Sequence, residues 1–426
     1  MSDVIRRLQD RLYTAAKSDA KRRFHSLRDK VLWKETLERA WKDVKKNHGT
    51  SGPDGLTIED IEGQGVLAFL EEIQSDLTTG KYRPGPLLRV DIPKRSGGTR
   101  PLGIPNVRDR VVQAAVKLVI EPVFEAEFQE CSFGYRPNRG PRDATKEVYK
   151  WLNYGLENVI DADIEHCFDE IPHDKLMKAV SRRIADGYVL KLIRMWLKAP
   201  VLKDGTLCSV KKGTPQGGVI SPLLANIYLH QLDEGWTRNG MTNRWGCNAQ
   251  MVRYADDLVI LSDRALDAPL GLLKALLTRI GLKLSEKKTR LVTAEEGFEF
   301  LGFRFIRRYK KKWGKRKTYR FPSPDAVKRV KEKIRKLAGN HVLHVPPDEV
   351  AASLNRVVVG WRNYFRHSNA SRTLSKVSNY LAYRFRKYLR RRKNKSGMGK
   401  YRDMGNWEMA EKFGLALYQD VEVIYD

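Results

Sequence analysis

Residues 251–261, MVRYADDLVIL, decide how this chain folds, because two adjacent acids, Asp256 and Asp257, stand inside an apolar run. A buried carboxylate without a partner costs several kcal/mol, so such a pair persists where a cation neutralises it. Adjacent residues of a strand face opposite sides of a sheet. Both acids can therefore reach one site only where the strand turns, and the stretch predicts a β-hairpin with its turn at the acid pair. By itself, the pattern would also fit an exposed turn.

A second acidic segment, VIDADIEHCFD at residues 159–169, has a related pattern. An apolar strand runs into Asp163, and an aromatic ring, Phe168, follows in the same segment. Carboxylates that converge from separate strands are the arrangement that holds two metal ions about 3.5 to 4 Å apart. Ligand sets made only of oxygen favour Mg²⁺. The two segments together indicate a cation site to which acids of both contribute.

The charge of the chain is unevenly distributed. It holds 80 Lys and Arg against 51 Asp and Glu, a net charge of +29, and 31 of the basic but only 4 of the acidic residues lie between 303 and 402. Such a balance suits a polyanionic partner. The alternative is a solvated basic surface over an ordinary core. Aromatic residues interleave with the basic ones, a mixture typical of phosphate contacts combined with base stacking; they are Tyr309, Trp313, Tyr319, Trp361, Tyr364, Phe365, Tyr380, Tyr383, Phe385 and Tyr388.

Other features of the composition exclude several classes of protein. The sequence has no run of about eighteen uncharged apolar residues, and its N-terminus, MSDVIRRLQDRLY, lacks the apolar centre of a signal peptide. We therefore expect a soluble, cytoplasmic protein without a membrane partner. The cysteines have neither CxxC nor zinc-finger spacing, which predicts reduced, packed thiols; they are Cys131, Cys167, Cys208 and Cys247.

Hydrophobic periodicity and breaker residues predict an α+β body followed by a basic, all-helical C-terminal part. Residues 1–80 have helical patterns, and a strand, turn, strand, helix order begins at Tyr82. After Pro324 helical patterns dominate. The predicted helices include 109–127, 174–198, 221–235 and 265–281, and the predicted strands include 158–164, 251–261, 283–292 and 298–306.

Further motifs follow one another in a fixed order. They are IPKRSGGTRPLGIP at 92–105, GTPQGG at 213–218, GLKLSEKKT at 281–289 and FEFLGF at 298–303. Together with Asp163, Phe168 and the YADD sequence of 254–257, they resemble the fingers and palm motifs of reverse transcriptases of the bacterial group II intron maturase type. SGPDG at 51–55, CSFGYRP at 131–137 and GWRNYF at 360–365 resemble the same family. The family usually has Asn where Ser285 stands.

This resemblance implies a right-hand polymerase with fingers, a mixed α/β palm and a basic helical thumb, or X domain. It implies that Asp163, Asp256, Asp257 and the backbone carbonyl of Ile164 hold two Mg²⁺ ions, for which Mn²⁺ can substitute. Lys288 would protonate the departing pyrophosphate. The substrate-binding residues would be Lys94, Arg100, Ile164, Phe168, Pro215, Gln216, Gly217 and Tyr254.

The sequence also predicts domain boundaries. We expect an N-terminal helical extension with a template-lid loop over 1–80, a fingers and palm domain over 81–308, a thumb or X domain over 309–400 and a short acidic tail over 401–426. Many members of the family carry a C-terminal DNA-binding and endonuclease region. The 26 residues after Lys400 are net acidic and contain neither Cys nor His, so we expect no nuclease site.

The expected activity is RNA-directed DNA synthesis, in which dNTPs are added to the 3′ end of a DNA or RNA primer on an RNA template. Binding of group II intron RNA would support splicing and retromobility. One alternative is a splicing cofactor without polymerase activity, against which the intact acids, Gln216 and the Lys94 and Arg100 pair argue. Another is a domesticated reverse transcriptase in phage defence or DNA repair, which the sequence does not separate from the first role.

Overall fold

A computed structural model of the chain describes residues 2–93, 98–392 and 404–417. Within these residues no helix is long and apolar enough to span a membrane. The chain forms two compact units. The first unit comprises Met1–Gly140, Ala162–Leu258 and Asp267–Thr289, and the second comprises Pro141–Asp161, Val259–Leu266 and Arg290–Asp426.

Helices and short strands alternate along most of the chain, so the predicted α+β class is confirmed. The helices are α1 (Ser2–Ser18), α2 (Arg28–Leu32), α3 (Lys34–Lys46), α4 (Ile58–Gln64), α5 (Val66–Thr79), α6 (Val107–Glu125), α7 (Pro141–Asn153), α8 (Cys167–Glu170), α9 (His173–Ser181), α10 (Gly187–Leu197), α11 (Ser221–Arg238), α12 (Asp267–Ile280), α13 (Pro324–Leu337), α14 (Pro347–Phe365), α15 (Ser371–Arg392) and α16 (Asn406–Phe413). The strands are β1 (Leu87–Pro93), β2 (Thr99–Ile104), β3 (Asn158–Asp163), β4 (Val201–Lys203), β5 (Thr206–Cys208), β6 (Ala249–Tyr254), β7 (Asp257–Ser262), β8 (Arg290–Thr293), β9 (Phe298–Phe300), β10 (Phe303–Lys310) and β11 (Lys315–Pro322).

The strands form three sheets among the described residues. The first has the order β2-β1-β4-β5, and its β1–β2 hairpin pairs Leu88 with Ile104 and Pro93 with Thr99. The second has the order β6-β7-β3-β8 and contains the strands from which both acidic segments come. The third, β11-β10-β9, is a long antiparallel hairpin extended by one short strand. The predicted strand, turn, strand, helix order of 82–127 is therefore confirmed.

Three of the predicted elements differ from the structure. The predicted helix 174–198 is two helices: α9 ends at Ser181, and Asp186 begins α10 as its N-cap, because its carboxylate accepts from the backbone N–H groups of Tyr188 and Val189. In the predicted strand 283–292, the observed strand begins only at Arg290. The predicted strand 298–306 is two strands, β9 and β10, separated by Leu301 and Gly302, both of which have positive φ.

The C-terminal helices of the second unit pack around one apolar core. Helices α13, α14 and α15 contribute Ile334, Leu354 and Leu381, each 0% exposed. Strands do not recur among the described residues after β11, as the sequence predicted. The apolar face, rather than the basic surface, therefore holds these helices together.

The aromatic residues of the basic segment divide into two groups. Phe385 and Tyr388 are 0% exposed and Phe365 is 3% exposed, so these rings belong to apolar cores and their predicted role in base stacking is wrong. By contrast, Tyr309 and Tyr383 are more than half exposed. Composition cannot separate the two groups, because both kinds of aromatic residue alternate with Lys and Arg along the sequence.

The four cysteines are free thiols that differ in how far they are buried. Cys167 is buried, as the sequence predicted, and its burial raises the pKa of the thiol to about 12. Cys208 is exposed on β5, so the prediction of packed thiols is wrong at that position.

A fully buried arginine connects the β6–β7 hairpin to the rest of the first unit. The Arg253 guanidinium donates to both carboxylate oxygens of Asp233 on α11, with the Nε–Oδ1 distance 2.8 Å. It also donates to the Ala255 carbonyl at 2.9 Å, the Ser132 hydroxyl at 2.8 Å and Asn226 Oδ1 at 3.2 Å. Burial disfavours the charged form, but the Asp233 carboxylate outweighs this effect, so the pKa of Arg253 lies above its usual value.

This network makes a prediction about stability. Arg253→Met should lower the free energy of unfolding by about 3 to 5 kcal/mol, because it leaves the Asp233 carboxylate buried without a partner. Adding Asp233→Leu should recover part of that loss, since two apolar side chains do not need a charge partner. Urea unfolding of the three proteins measures both effects. Equal losses in the single and double variants would contradict the interpretation.

Candidate active site

The tip of the β6–β7 hairpin presents the acid pair. The turn lies at Ala255 and Asp256, and Asp257 is the first residue of β7. The predicted hairpin turn is therefore confirmed, displaced by one residue. Ala255 has a φ of 58°, a left-handed conformation that costs free energy for a residue with a Cβ atom. The Arg253 guanidinium holds this conformation because it donates to the Ala255 carbonyl.

A neighbouring backbone segment packs directly under this turn. The Phe133 N–H donates to the Arg253 carbonyl and the Arg253 N–H to the Cys131 carbonyl, both at 2.8 Å. A Cβ atom on Gly134 would collide with the Ala255 backbone nitrogen. Asn226 Nδ2 donates to the Gly134 carbonyl at 2.7 Å. The CSFGYRP segment is therefore a backbone support for the hairpin tip, and it requires glycine at its centre.

Asp256 is half-buried, and its surroundings penalise its charge. Burial raises the pKa of this carboxyl, and the nearby Asp163 carboxylate raises it further. The cations Arg100 and Lys288 lower the pKa but do not offset the burial. Two carboxylates of adjacent strands thus lie close enough to repel each other. A bound cation would relieve that repulsion.

Asp163 ends β3 and meets the 283–288 segment. The Ser285 N–H donates to the Asp163 carbonyl at 2.8 Å, and the Glu165 N–H donates to the Lys283 carbonyl at 2.9 Å. Ile164, between them in sequence, bridges to Leu284. This docking brings Lys288 Nζ within 3.0 Å of Asp163 Oδ2.

The GTPQGG loop is held by backbone contacts to the turn that carries Phe168. The Thr214 N–H donates to the Phe168 carbonyl at 2.7 Å, and the Gly213 N–H donates to the Ile171 carbonyl at 2.8 Å. Gly213 has a φ of 91°, and a Cβ atom there would lie 2.8 Å from the Asp169 carbonyl oxygen. The Phe168 side chain is buried, with 6% of its surface exposed.

Gln216 links the β1–β2 hairpin to the Phe168 turn. Its side-chain oxygen accepts from Arg100 Nε, and its Nε2 donates to Asp169 Oδ1 at 3.1 Å. Its carbonyl accepts from the Gly103 N–H at 2.7 Å. Gly217 has a φ of 123°, and a Cβ atom there would approach the Gly103 carbonyl oxygen to 2.7 Å. Pro215 precedes this contact and lines a small cavity beneath the loop.

The structure brings most of the predicted site residues together in the first unit. Tyr254 lies at the end of β6, with its ring centroid 6.4 Å from that of Tyr135. Lys94 lies outside the described residues. Sequence reasoning missed Asp169, although this acid stands next to Phe168, and it missed the support from Asp233. Asp233 belongs to no recognisable motif, whereas Asp169 ends the acidic segment 159–169.

The described residues contain no group of three or more His, Cys, Asp or Glu side chains that could hold a metal ion. Two carboxylates nevertheless fit Mg²⁺, which keeps several waters and is commonly bound through one or two carboxylates plus substrate phosphates. Burial and the Asp163 carboxylate disfavour the charged form of Asp256. A bound cation would stabilise that charged form. Lys288 supplies a cation at Asp163 in this structure.

The N-terminal loop of residues 51–55 is fixed against α6. The Asp54 N–H donates to Asn106 Oδ1 at 3.3 Å, and the Arg110 guanidinium donates to the Thr50 carbonyl. A Cβ atom on Gly52 would collide with Asn106. The SGPDG sequence is thus more than a local turn, because it is bonded to the helix that follows β2.

Comparisons with known proteins agree with this geometry. Residues 92–305 match the family of reverse transcriptases (RNA-dependent DNA polymerases), and residues 327–405 match the group II intron maturase-specific domain. The chain is 33% identical to protein YkfC of Escherichia coli over 72% of its own length and 89% of that relative. It is 37% identical to the group II intron-encoded protein LtrA of Lactococcus lactis over 46% of the chain and 32% of LtrA. It is 28% identical to nuclear intron maturase 4 of Arabidopsis thaliana over 51% of the chain and 26% of that relative.

The two matched regions follow each other in the order that the sequence motifs predicted. Reverse transcriptases use divalent metal ions, and both matched regions are nucleic-acid-binding domains. The chain spans only about a third of LtrA but most of YkfC. This chain therefore belongs to the reverse transcriptases, as an RNA-directed DNA polymerase that carries a group II intron maturase-specific domain.

Proposed function

We propose that this reverse transcriptase adds dNTPs to the 3′ end of a primer on an RNA template with two Mg²⁺ ions, and that it also binds its group II intron RNA. The observation that carries the proposal is the pair of carboxylates, Asp163 and Asp256: burial raises the pKa of Asp256, and the nearby Asp163 carboxylate raises it further. Asp257 and the carbonyl of Ile164 would complete the ligand set. Bound metal would lower the pKa of the primer 3′-hydroxyl and stabilise charge on the leaving pyrophosphate.

The surrounding side chains support a role in nucleotide positioning. Lys288 Nζ lies 3.0 Å from Asp163 Oδ2, and from this position its ammonium group would give a proton to the departing pyrophosphate. Arg100 and Gln216 form a bonded pair beside Asp169, and with Lys94 they would hold the triphosphate and base of the nucleotide. Phe168 would exclude a 2′-hydroxyl by its bulk, and Tyr254, Pro215 and Gly217 would border the same pocket.

The second unit supplies features suited to intron RNA. Exposed rings such as Tyr309 and Tyr383 stand among Lys and Arg, which combines stacking with phosphate contacts. The Arg390–Arg392 run is partly structural: Arg391 donates to Asn340 Oδ1 at 2.6 Å, and Arg392 donates to the Leu343 carbonyl at 2.9 Å. We propose that the helical region beyond the palm is the thumb or X domain.

Removal of one metal-binding charge should separate polymerisation from RNA binding. Asp163→Asn keeps the side-chain shape but removes the charge. It should slow dNTP addition by about a thousandfold, about 4 kcal/mol of transition-state stabilisation. Intron RNA binding should be unchanged. Primer extension on an RNA template with Mg²⁺, alongside filter binding of the intron transcript, measures the two activities.

Asp161→Asn is the matched control, because it removes an acid from the same strand two residues away. It should leave the extension rate within a few-fold of wild type. Wild-type rates in Asp163→Asn would show that the metal site is elsewhere. A wild-type protein that binds the intron RNA but extends no primer would instead favour a splicing cofactor.

The bulk of Phe168 should determine the choice of sugar. Phe168→Val should increase rNTP incorporation relative to dNTP, because the smaller side chain leaves room for a 2′-hydroxyl. Phe128→Val, at a ring of similar burial on the first unit, is the control and should reduce thermal stability without changing sugar choice. If Phe168→Val loses stability but keeps its preference for dNTPs, the ring has a purely structural role.

The Arg253 network should matter for rate beyond its effect on stability. In the Arg253→Met, Asp233→Leu double variant, the Ala255 carbonyl loses its donor, so the turn that positions Asp256 loses its support. Extension should slow by at least tenfold at saturating dNTP, at a temperature where the variant is folded. A higher Mg²⁺ requirement should accompany this loss. A folded double variant with the wild-type rate and Mg²⁺ dependence would contradict this positioning role.

A further inference from the structure

Asp169 ends the acidic segment 159–169 and contacts the GTPQGG loop. Its Oδ1 accepts from Gln216 Nε2 at 3.1 Å. The Asp169 backbone is fixed from two sides. Its N–H donates to the His166 carbonyl at 2.9 Å, and a Cβ atom on Gly213 would lie 2.8 Å from its carbonyl oxygen. The Asp169 carboxylate therefore reaches Gln216 from a position that the surrounding backbone sets.

The side-chain amide of Gln216 has a donor end and an acceptor end, and its two partners require opposite ends. An ionised carboxylate only accepts hydrogen bonds, whereas a guanidinium only donates them. Nε2 therefore faces Asp169, and the side-chain oxygen accepts from Arg100 Nε. Rotation of the amide by half a turn would place two donors together at Arg100 and two acceptors together at Asp169. Asp169 thus selects the orientation in which Gln216 offers an oxygen to Arg100.

The backbone of Gln216 is held independently of its amide. Its carbonyl accepts from the Gly103 N–H at 2.7 Å, and a Cβ atom on Gly217 would approach the Gly103 carbonyl oxygen to 2.7 Å. Loss of the Asp169 carboxylate would therefore leave the loop in place and release only the side-chain amide. A change at Asp169 thus tests the orientation of the amide rather than the attachment of the loop.

Arg100 connects these contacts to the acids of the candidate metal site. Burial raises the pKa of Asp256 and the Arg100 charge lowers it, so the guanidinium lies close to that carboxyl. Arg100 is exposed on β2. An exposed arginine has many side-chain conformations, and an acceptor of fixed orientation reduces their number. Less conformational entropy is then lost when the guanidinium binds a phosphate group.

We propose that Asp169 is a positioning residue for the incoming nucleotide: by orienting the Gln216 amide, it places the Arg100 guanidinium where the triphosphate binds. This inference rests on the proposed function, in which Arg100 and Gln216 hold the nucleotide. In this role Asp169 touches neither the nucleotide nor the metal ions, because it acts through Gln216. It controls the affinity for dNTP rather than the rate of the chemical step.

Two variants of the full chain separate loss of the acceptor from loss of shape. Asp169→Leu removes the acceptor. Asp169→Asn keeps the size and still accepts from Gln216, but its own amide has both ends, so it no longer enforces one orientation. Glu170→Gln is the matched control, because it removes the neighbouring acid, which pairs with Lys212 beside the same loop at 2.6 Å. Thermal melts verify that the variants are folded.

Single-turnover primer extension on an RNA template gives the dNTP dissociation constant and the maximal rate separately. Asp169→Leu should raise the dissociation constant about tenfold, and Asp169→Asn about threefold, because a hydrogen bond to a charged group loses its fixed geometry. The maximal rate should stay within about twofold of wild type, because the chemical step is unaffected. The Mg²⁺ dependence should be unchanged. Glu170→Gln should equal wild type in both constants.

A second background tests whether Asp169 acts through Arg100. In Arg100→Met no guanidinium remains to be positioned, so the added Asp169→Leu should change the dNTP dissociation constant by less than about twofold. If the two single effects multiply instead, Asp169 acts by another route and the proposal is wrong. A lower maximal rate with a higher Mg²⁺ requirement would also overturn it, because Asp169 would then bind metal itself. If Asp169→Leu does not fold, the same comparison with Asp169→Asn decides.

Failure of the proposed function gives different results. Wild-type protein that extends no primed RNA would contradict that function itself. Wild-type affinity for dNTP in Arg100→Met would contradict the proposed role of Arg100 in nucleotide binding. Weakened affinity in Arg100→Met, together with wild-type affinity in both Asp169 variants, would contradict only the positioning role of Asp169.

Discussion

The ion pair between Arg253 and Asp233 is the interaction on which the active site depends. A guanidinium in the middle of an apolar strand is costly unless every donor has a partner. Here its partners come from three separate segments: Asp233 and Asn226 on α11, Ser132, and the Ala255 carbonyl at the hairpin tip. The charge is therefore not only tolerated. Its donors fix the position of an alanine in the left-handed region, which in turn fixes where Asp256 points.

Close contacts between backbone segments bring further loops to the same site. Gly213 packs against the Asp169 carbonyl and Gly217 against the Gly103 carbonyl, at distances that a Cβ atom would violate. Three glycines, with Gly134 under the hairpin tip, thus allow loops from distant parts of the sequence to meet without intervening side chains. The side chains that reach into the site, Gln216 among them, are then positioned by backbone contacts on rigid elements rather than by loop flexibility.

The sequence was most informative where the cause of a structure is local. The hairpin at residues 251–261 could be predicted because a strand cannot otherwise aim two adjacent acids at one place. The contact between Asp169 and Gln216 could not, since it joins residues 47 positions apart and neither residue type demands it. The break between α9 and α10 escaped prediction for a similar reason. Asp186 caps α10 and also accepts from the backbone N–H groups of Leu27 and Arg28, which are visible only in the fold.

The buried arginines of this chain and the exposed cations of α10 differ in how their positive charges are compensated. Arg253, Arg183 and Arg136 are buried, and each guanidinium donates to a carboxylate and to backbone carbonyls. Their charges are fully compensated within the protein, so added salt should affect them little. The exposed side chains of Lys191 and Arg194 on α10 have no such partner among the described residues, and their repulsion is relieved only by ions or by a polyanion. The partners of a basic residue, rather than the total content of Lys and Arg, therefore decide whether its charge is free to attract a polyanion.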